Sequence, residues 1–84
     1  MYKITFSKDA DKALRRMPRN VSQSIANKIK ELANNPYEMR NVKKLTKHPG
    51  YRLRVGDWRI VYTINDNEFL IHVINVKTRG EIYK

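Results

Sequence analysis

The stretch from Tyr51 to Tyr62, YRLRVGDWRIVY, constrains this chain more than any other. Residues 51–55 alternate large apolar side chains with arginine, the period-2 pattern of a half-buried strand. Gly56-Asp57 separates that run from a second one, and glycine in the first central position suits a type II′ hairpin turn. With a two-residue loop, Val55 faces Trp58, Arg54 faces Arg59, Leu53 faces Ile60 and Tyr51 faces Tyr62. One face then carries Leu53, Val55, Trp58 and Ile60, and the other carries Arg52, Arg54 and Arg59. Like charges placed directly opposite each other destabilise a strand pair. An anion lying across the arginine face would offset that penalty.

The charge of the whole chain points the same way. At 84 residues it is sized for one domain, residues 1–84, with a small core. The net charge is +10 and the pI about 10.2, a balance that favours a polyanionic partner, nucleic acid first. There is no cysteine, so disulfides and thiolate zinc sites are excluded. No apolar run approaches a membrane span and the N-terminus does not read as a signal peptide, so a cytoplasmic protein without membrane contact is expected.

Tyr2, Ile4 and Phe6 alternate with Lys3 and Thr5, which predicts a short strand. Ser7 suits an N-cap, with Asp9 in the first turn of the helix it begins. Ala10, Ala13, Leu14 and Met17 mark that helix. Pro18 interrupts it and suits the first position of a second, whose stripe of Val21, Ile25, Ile29, Leu32 and Ala33 runs to Asn34-Asn35-Pro36. Residues 37–50 lack a convincing period. After the hairpin, Asn65-Asp66-Asn67 predicts a second turn, and the mostly apolar run from Glu68 to Val76 predicts an inner strand covered on both faces, of undetermined register. The expected fold is α+β in the order β-α-α-β-β-β: a mainly antiparallel four-stranded sheet with a helical hairpin on one face.

Between Arg40 and Tyr62 there are seven Lys and Arg side chains against one acid, Asp57. If the helices cover the Leu53/Val55/Ile60 face, the arginine face stays open, fed by the lysines of residues 43–47. Arginine matches phosphate oxygens with a planar fork of donors, so such a face suits phosphate binding. A solvated strand face of any basic protein has the same pattern. His48 stands in a turn and His72 inside an apolar strand, and neither has a partner at metal-ligand spacing. Glycine-rich phosphate loops, serine elbows and carboxylate pairs are missing, and the eight acids are scattered, which argues against metal-dependent cleavage. No cofactor or metal is expected. One metal-free route remains open for RNA, in which the substrate's own 2′-OH attacks the adjacent phosphorus. It needs in-line positioning, stabilisation of charge and two proton transfers. Tyr83, near the basic C-terminus, is a thin candidate for proton transfer, because neighbouring arginines favour its phenolate.

Lys43-Lys44-Leu45, the block from His48 to Tyr62, and Arg79-Gly80-Glu81-Ile82-Tyr83, with Phe6-Ser7-Lys8 ahead of a helical hairpin, resemble the RelE branch of the RelE/ParE toxin superfamily. The resemblance implies a small basic toxin of a type II toxin–antitoxin system that cuts mRNA in the ribosomal A site without metal. It implies Arg54, Arg59, Arg79 and Tyr83 as catalytic residues, and Lys43, Lys44, Lys47 and Arg52 as RNA-binding ones. It also implies contacts with 16S rRNA, a cognate antitoxin that holds the toxin inactive, and operator DNA reached only through the antitoxin complex.

The chain departs from the pattern in three places. The family's best-studied enzymes have lysine at the positions of Arg52 and Arg54, and arginine holds its proton too firmly to inherit a lysine's proton-transfer role. A basic residue often precedes the C-terminal arginine, where this chain has Thr78, and a second arginine commonly follows, where it has Gly80. Two alternatives stay open beside the ribonuclease: a ParE-like, non-enzymatic gyrase inhibitor, and a basic RNA-binding module without catalysis.

Overall fold

Alternating apolar side chains generate a five-stranded sheet, and the residues left over in the N-terminal half cover one of its faces with helices. The computed structural model describes residues 1–78. In chain order the elements are β1 (Lys3–Phe6), α1 (Lys8–Arg16), α2 (Arg19–Asn34), β2 (Val42–Lys44), β3 (Tyr51–Val55), β4 (Trp58–Asn65) and β5 (Leu70–Thr78). The spatial order is β1-β5-β4-β3-β2. β2 to β5 form an antiparallel meander, and β1 closes the sheet by pairing parallel with β5. The helices carry the chain from one edge of the sheet to the other. Among the described residues no helix is long and apolar enough to cross a membrane.

The hairpin has the register its alternation predicts: Val55 opposite Trp58, Arg54 opposite Arg59, Leu53 opposite Ile60 and Tyr51 opposite Tyr62. Gly56 adopts a φ of 59°, which a primed hairpin turn requires at that position and which only glycine adopts freely. Ala10, Met17, Ile25, Ile29 and Leu32 of the helical layer bury against Leu53, Ile60, Tyr62, Ile71, Val73 and Val76 of the sheet. Tyr62 is fully buried, stacked on Tyr51 with ring centroids 5.7 Å apart, and burial pushes its phenol well above the usual range.

The structure refines the sequence-based expectation at three points. The sheet has a fifth strand, β2, in the stretch that showed no period; three residues are too few for one, and pairing with β3 supplies what alternation could not. Pro18 caps α2 rather than opening it. Its ring disfavours a helical conformation at the preceding residue, and Met17 is extended with ψ 159°. Glu68 and Phe69 belong to the β4–β5 turn: Phe69 has a φ of 50° and is 63% exposed, and β5 starts at Leu70.

β5 has the inner position expected of it, and its register contains a bulge. Val61 pairs with Asn75 but Tyr62 pairs with Val73, which leaves Ile74 as the extra residue. The spacing of inward residues therefore lengthens, and Ile71, Val73 and Val76 are the buried ones. Ser7 connects this bulge to α1. Its hydroxyl accepts from the backbone N–H of Ala10 at 3.0 Å as the helix N-cap, and donates to the carbonyl of Ile74. Replacing Ser7 by alanine removes the cap and strands that carbonyl. Ser7→Ala is expected to destabilise by about 2–3 kcal/mol. Urea denaturation checks this, and a loss no greater than that of an exposed serine would refute the double role.

At the opposite end of β1, Asp66 in the β4–β5 turn accepts from two phenols, Tyr2 and Tyr37, each at 2.6 Å. These bonds join the N-terminus, the segment after α2 and the turn. The Tyr2 and Tyr37 hydroxyls hold the Asp66 carboxyl below its ordinary value of 3.8, and the Asp66 bond pushes Tyr37 up to about 12. The folded state favours the ionised carboxylate. The stability this junction adds is therefore complete above the carboxyl's unfolded value and is lost as pH falls through its lower folded one. The stability difference between the parent and Asp66→Asn is expected to be widest near neutral pH and to shrink in acid. Urea midpoints across pH read it, and a pH-independent difference would count against the assignment.

Candidate nucleic-acid interface

The helices occupy one face of the sheet, and the alternation of β3 and β4 sends their arginines to the other. Arg54 and Arg59 are cross-strand partners, and one pleat along β3, Arg52 is paired with Lys43 of β2. Arg52, Arg54 and Arg59, with Lys43, line a cavity of about 320 Å³ whose wall is completed by Arg40, Asn41 and Val42. Five of its seven lining side chains are cationic, so a fixed positive potential fills the concavity.

Arg59 is the least exposed of these cations, at 8%. A buried charge is tolerated only when it is hydrogen-bonded. Here Nη1 donates to the carbonyls of Gly56 and Trp58, both at 3.2 Å, so the hairpin turn itself orients the guanidinium. Arg54, opposite, is exposed. Two arginines held side by side present fork-shaped donor sets suited to phosphate oxygens. Two ion pairs, Arg15–Asp11 and Lys28–Glu31, lie on the helices.

Of the sequence-predicted site residues, Lys43, Arg52, Arg54 and Arg59 are brought together. Lys44 is exposed on β2 opposite Tyr51, and Lys47 is exposed in the β2–β3 loop with a φ of 62°; neither lines the cavity. Arg79 and Tyr83 lie outside the described residues. Arg40 and Asn41 are the additions that sequence reasoning did not assign. Their signal is tertiary: the Asn41 carbonyl accepts from the backbone N–H of Arg54 at 2.9 Å, which extends the β2–β3 ladder by one residue.

The histidines are elsewhere. His48 accepts at Nδ1 from the Gly50 N–H at 2.9 Å, inside its own turn. His72 shares a 2.8 Å hydrogen bond with Thr5 across β1 and β5. It pairs with Thr63, four strand residues from Arg59, or about 13 Å along the sheet. Among the described residues no three His, Asp or Glu side chains gather in a way that could hold a metal ion. A second hollow, of about 340 Å³ between α2 and the hairpin tip, is lined by Val21, Ile25, Val55 and Trp58 among others and includes no lysine or arginine.

This arrangement of helices and sheet has counterparts among known proteins. The family described as the ParE toxin of type II toxin–antitoxin systems matches residues 4–83. The chain belongs to the RelE/ParE superfamily of type II toxins. An Escherichia coli protein described as a RelE-like toxin is 28% identical over 88 residues, covering 98% of this chain and 90% of its own length. The toxin in the crystal structure of the archaeal RelE–RelB complex from Pyrococcus horikoshii superposes with a TM-score of 0.82 at 27% identity, covering 94% of this chain and 96% of that one. The intact E. coli RelBE toxin–antitoxin complex gives 0.81 at 26% identity, with 93% and 96% covered. The α+β architecture of this toxin is thus the one found in RelE structures.

Proposed function

We propose that this toxin is a ribosome-dependent endoribonuclease that cuts mRNA in the A site by metal-free attack of the substrate 2′-OH. The observation that carries the reading is the single cavity that gathers Lys43, Arg52, Arg54 and Arg59 on the open face of the sheet. The 2′-oxygen attacks the adjacent phosphorus as its proton leaves. The bond to the 5′-oxygen breaks, and that oxygen takes up a proton, leaving a 2′,3′-cyclic phosphate and a 5′-hydroxyl. Arg54 and Arg59 oppose the charge that builds on the phosphoryl oxygens. Arg79 and Tyr83 are assigned from their positions in the family pattern, Arg79 near the leaving oxygen and Tyr83 as proton carrier or base-stacking group. Lys44 and Lys47 are assigned to RNA outside the cavity, including rRNA.

The partner that restrains such a toxin is proposed to be a cognate antitoxin, since the similar E. coli and P. horikoshii toxins are found in complexes with RelB. A net charge of +10 favours an acidic antitoxin segment. Contact with operator DNA is assigned to the complex, and the site of action is the cytoplasm. A second reading, a ParE-like inhibitor of DNA gyrase, is favoured by one specific observation, the description of the matching family.

Purified toxin added to programmed ribosomes, with mRNA ends mapped by primer extension, separates the two. A-site breaks are expected. Intact mRNA together with gyrase-dependent DNA damage would replace the first reading by the second. Salt-sensitive RNA binding with neither effect would leave a binding module.

A further inference from the structure

We propose that the basic cavity holds two consecutive phosphates of one RNA strand, with Arg40 and Lys43 forming a second phosphate subsite at the sheet edge. The inference rests on the ribonuclease reading above and deepens it.

The cavity is wider than one phosphate needs. Its centre is the Arg54–Arg59 pair, where β3 meets β4. Its edge is β2, where Lys43 pairs with Arg52 and Asn41 extends the ladder opposite Arg54. From β4 to β2 is two strand spacings, about 10 Å. One nucleotide step of an extended strand fits inside that span. A strand crossing the cavity with its scissile phosphate at Arg54 and Arg59 therefore brings its neighbouring phosphate to Arg40 and Lys43. Arg52 stands between the two.

Arg40 is held in position although its side chain is exposed. The segment that carries it is tethered on both sides. On one side, the Tyr37 hydroxyl donates to Asp66 at 2.6 Å and its ring packs edge-on to Tyr51, with centroids 6.5 Å apart. On the other, the Asn41 carbonyl accepts from the Arg54 N–H at 2.9 Å. Met39 packs against the core between the tethers. The junction of Tyr37 and Asp66 thus has a role beyond stability, as a positioning contact for the edge subsite.

The test uses ribosomes programmed with a message carrying a 2′-O-methyl group at the cleavage position, which blocks the nucleophile and turns cleavage into binding. In one version the phosphate next to the cut is a neutral methylphosphonate. In another the scissile phosphate itself is neutral. Arg40→Ala is expected to weaken binding to the all-phosphate message about tenfold. The neighbouring methylphosphonate should weaken the parent by a similar factor and should cost Arg40→Ala nothing more. Tyr37→Phe, which keeps the ring and loses the tether, is expected to give a smaller loss that disappears in the Arg40→Ala background. Arg16→Ala, an exposed cation on the helical side, serves as the charge control.

Equal binding by Arg40→Ala and the parent would overturn the subsite. So would an Arg40→Ala loss that persists in full on the methylphosphonate message. If the parent responds only to neutralisation of the scissile phosphate, the ribonuclease reading stands and the second subsite falls. If it responds to neither, both fall.

Discussion

An Arg59→Ala toxin is expected to cut A-site mRNA about 10²–10³-fold more slowly than the parent, the usual consequence of removing one preorganised donor from a developing oxyanion. The size of the effect follows from how Arg59 is held. It is 8% exposed, and the hairpin-turn carbonyls of Gly56 and Trp58 fix its guanidinium before substrate arrives, so little reorganisation remains at the moment of reaction. Folding should survive. The side chain is not part of the hydrophobic core, and its loss removes a like charge from the position opposite Arg54. Arg59→Lys tests the fork directly, because it keeps the charge and loses the planar donor set, so an intermediate rate is expected. Single-turnover cleavage on programmed ribosomes, paired with a thermal melt, reads both quantities. A folded Arg59→Ala variant that cuts at the parental rate would remove Arg59 from the mechanism.

Leu53→Ala is expected to have the largest effect on stability, a loss of about 2–5 kcal/mol. Leu53 is fully buried, is partnered by Ile60 on one side and Val42 on the other, and belongs to the cluster that joins the sheet to the helices. For a domain of this size each kcal/mol lowers the melting temperature by about 4–8 °C, and the whole reserve is only about 5–15 kcal/mol. The neighbouring Arg54→Ala, on the opposite face of the same strand, should leave the melting temperature almost unchanged while reducing cleavage. One strand thus separates the two roles by alternation alone. Equal melting temperatures for Leu53→Ala and Arg54→Ala would contradict the assignment of faces.

The hairpin was legible in the sequence because all its determinants are local. The two strands are adjacent in the chain, glycine selects the turn, and a two-residue loop leaves one register. The N-cap at Ser7 and the stop at Asn34 are local signals of the same kind. The elements that escaped depend on partners far away in the chain. β2 has three residues and exists through its pairing with β3. The bulge at Ile74 breaks the alternation that would have given the register of β5, and its carbonyl is satisfied by Ser7, 67 residues earlier. Phe69 looks like a strand residue by composition, and the β4–β5 turn claims it.

The candidate site divides along the same line. Arg52, Arg54 and Arg59 were readable as one face, because a period of two assigns faces without knowledge of the rest of the fold. The family pattern contributed Arg79 and Tyr83, which no spacing within the hairpin reaches. Arg40 could be counted but not placed, since its segment is positioned by Tyr37 meeting Asp66 across 29 residues.

By itself the sequence determined the hairpin and the sign of its arginine face, because alternation, turn chemistry and charge act over a few residues; the toxin superfamily entered through the resemblance of its motifs. Only the tertiary structure decided that the cavity has an outer wall. That wall is formed where the loop after α2 is tied to the β4–β5 turn, and hydrogen bonds between distant segments leave no period in the chain.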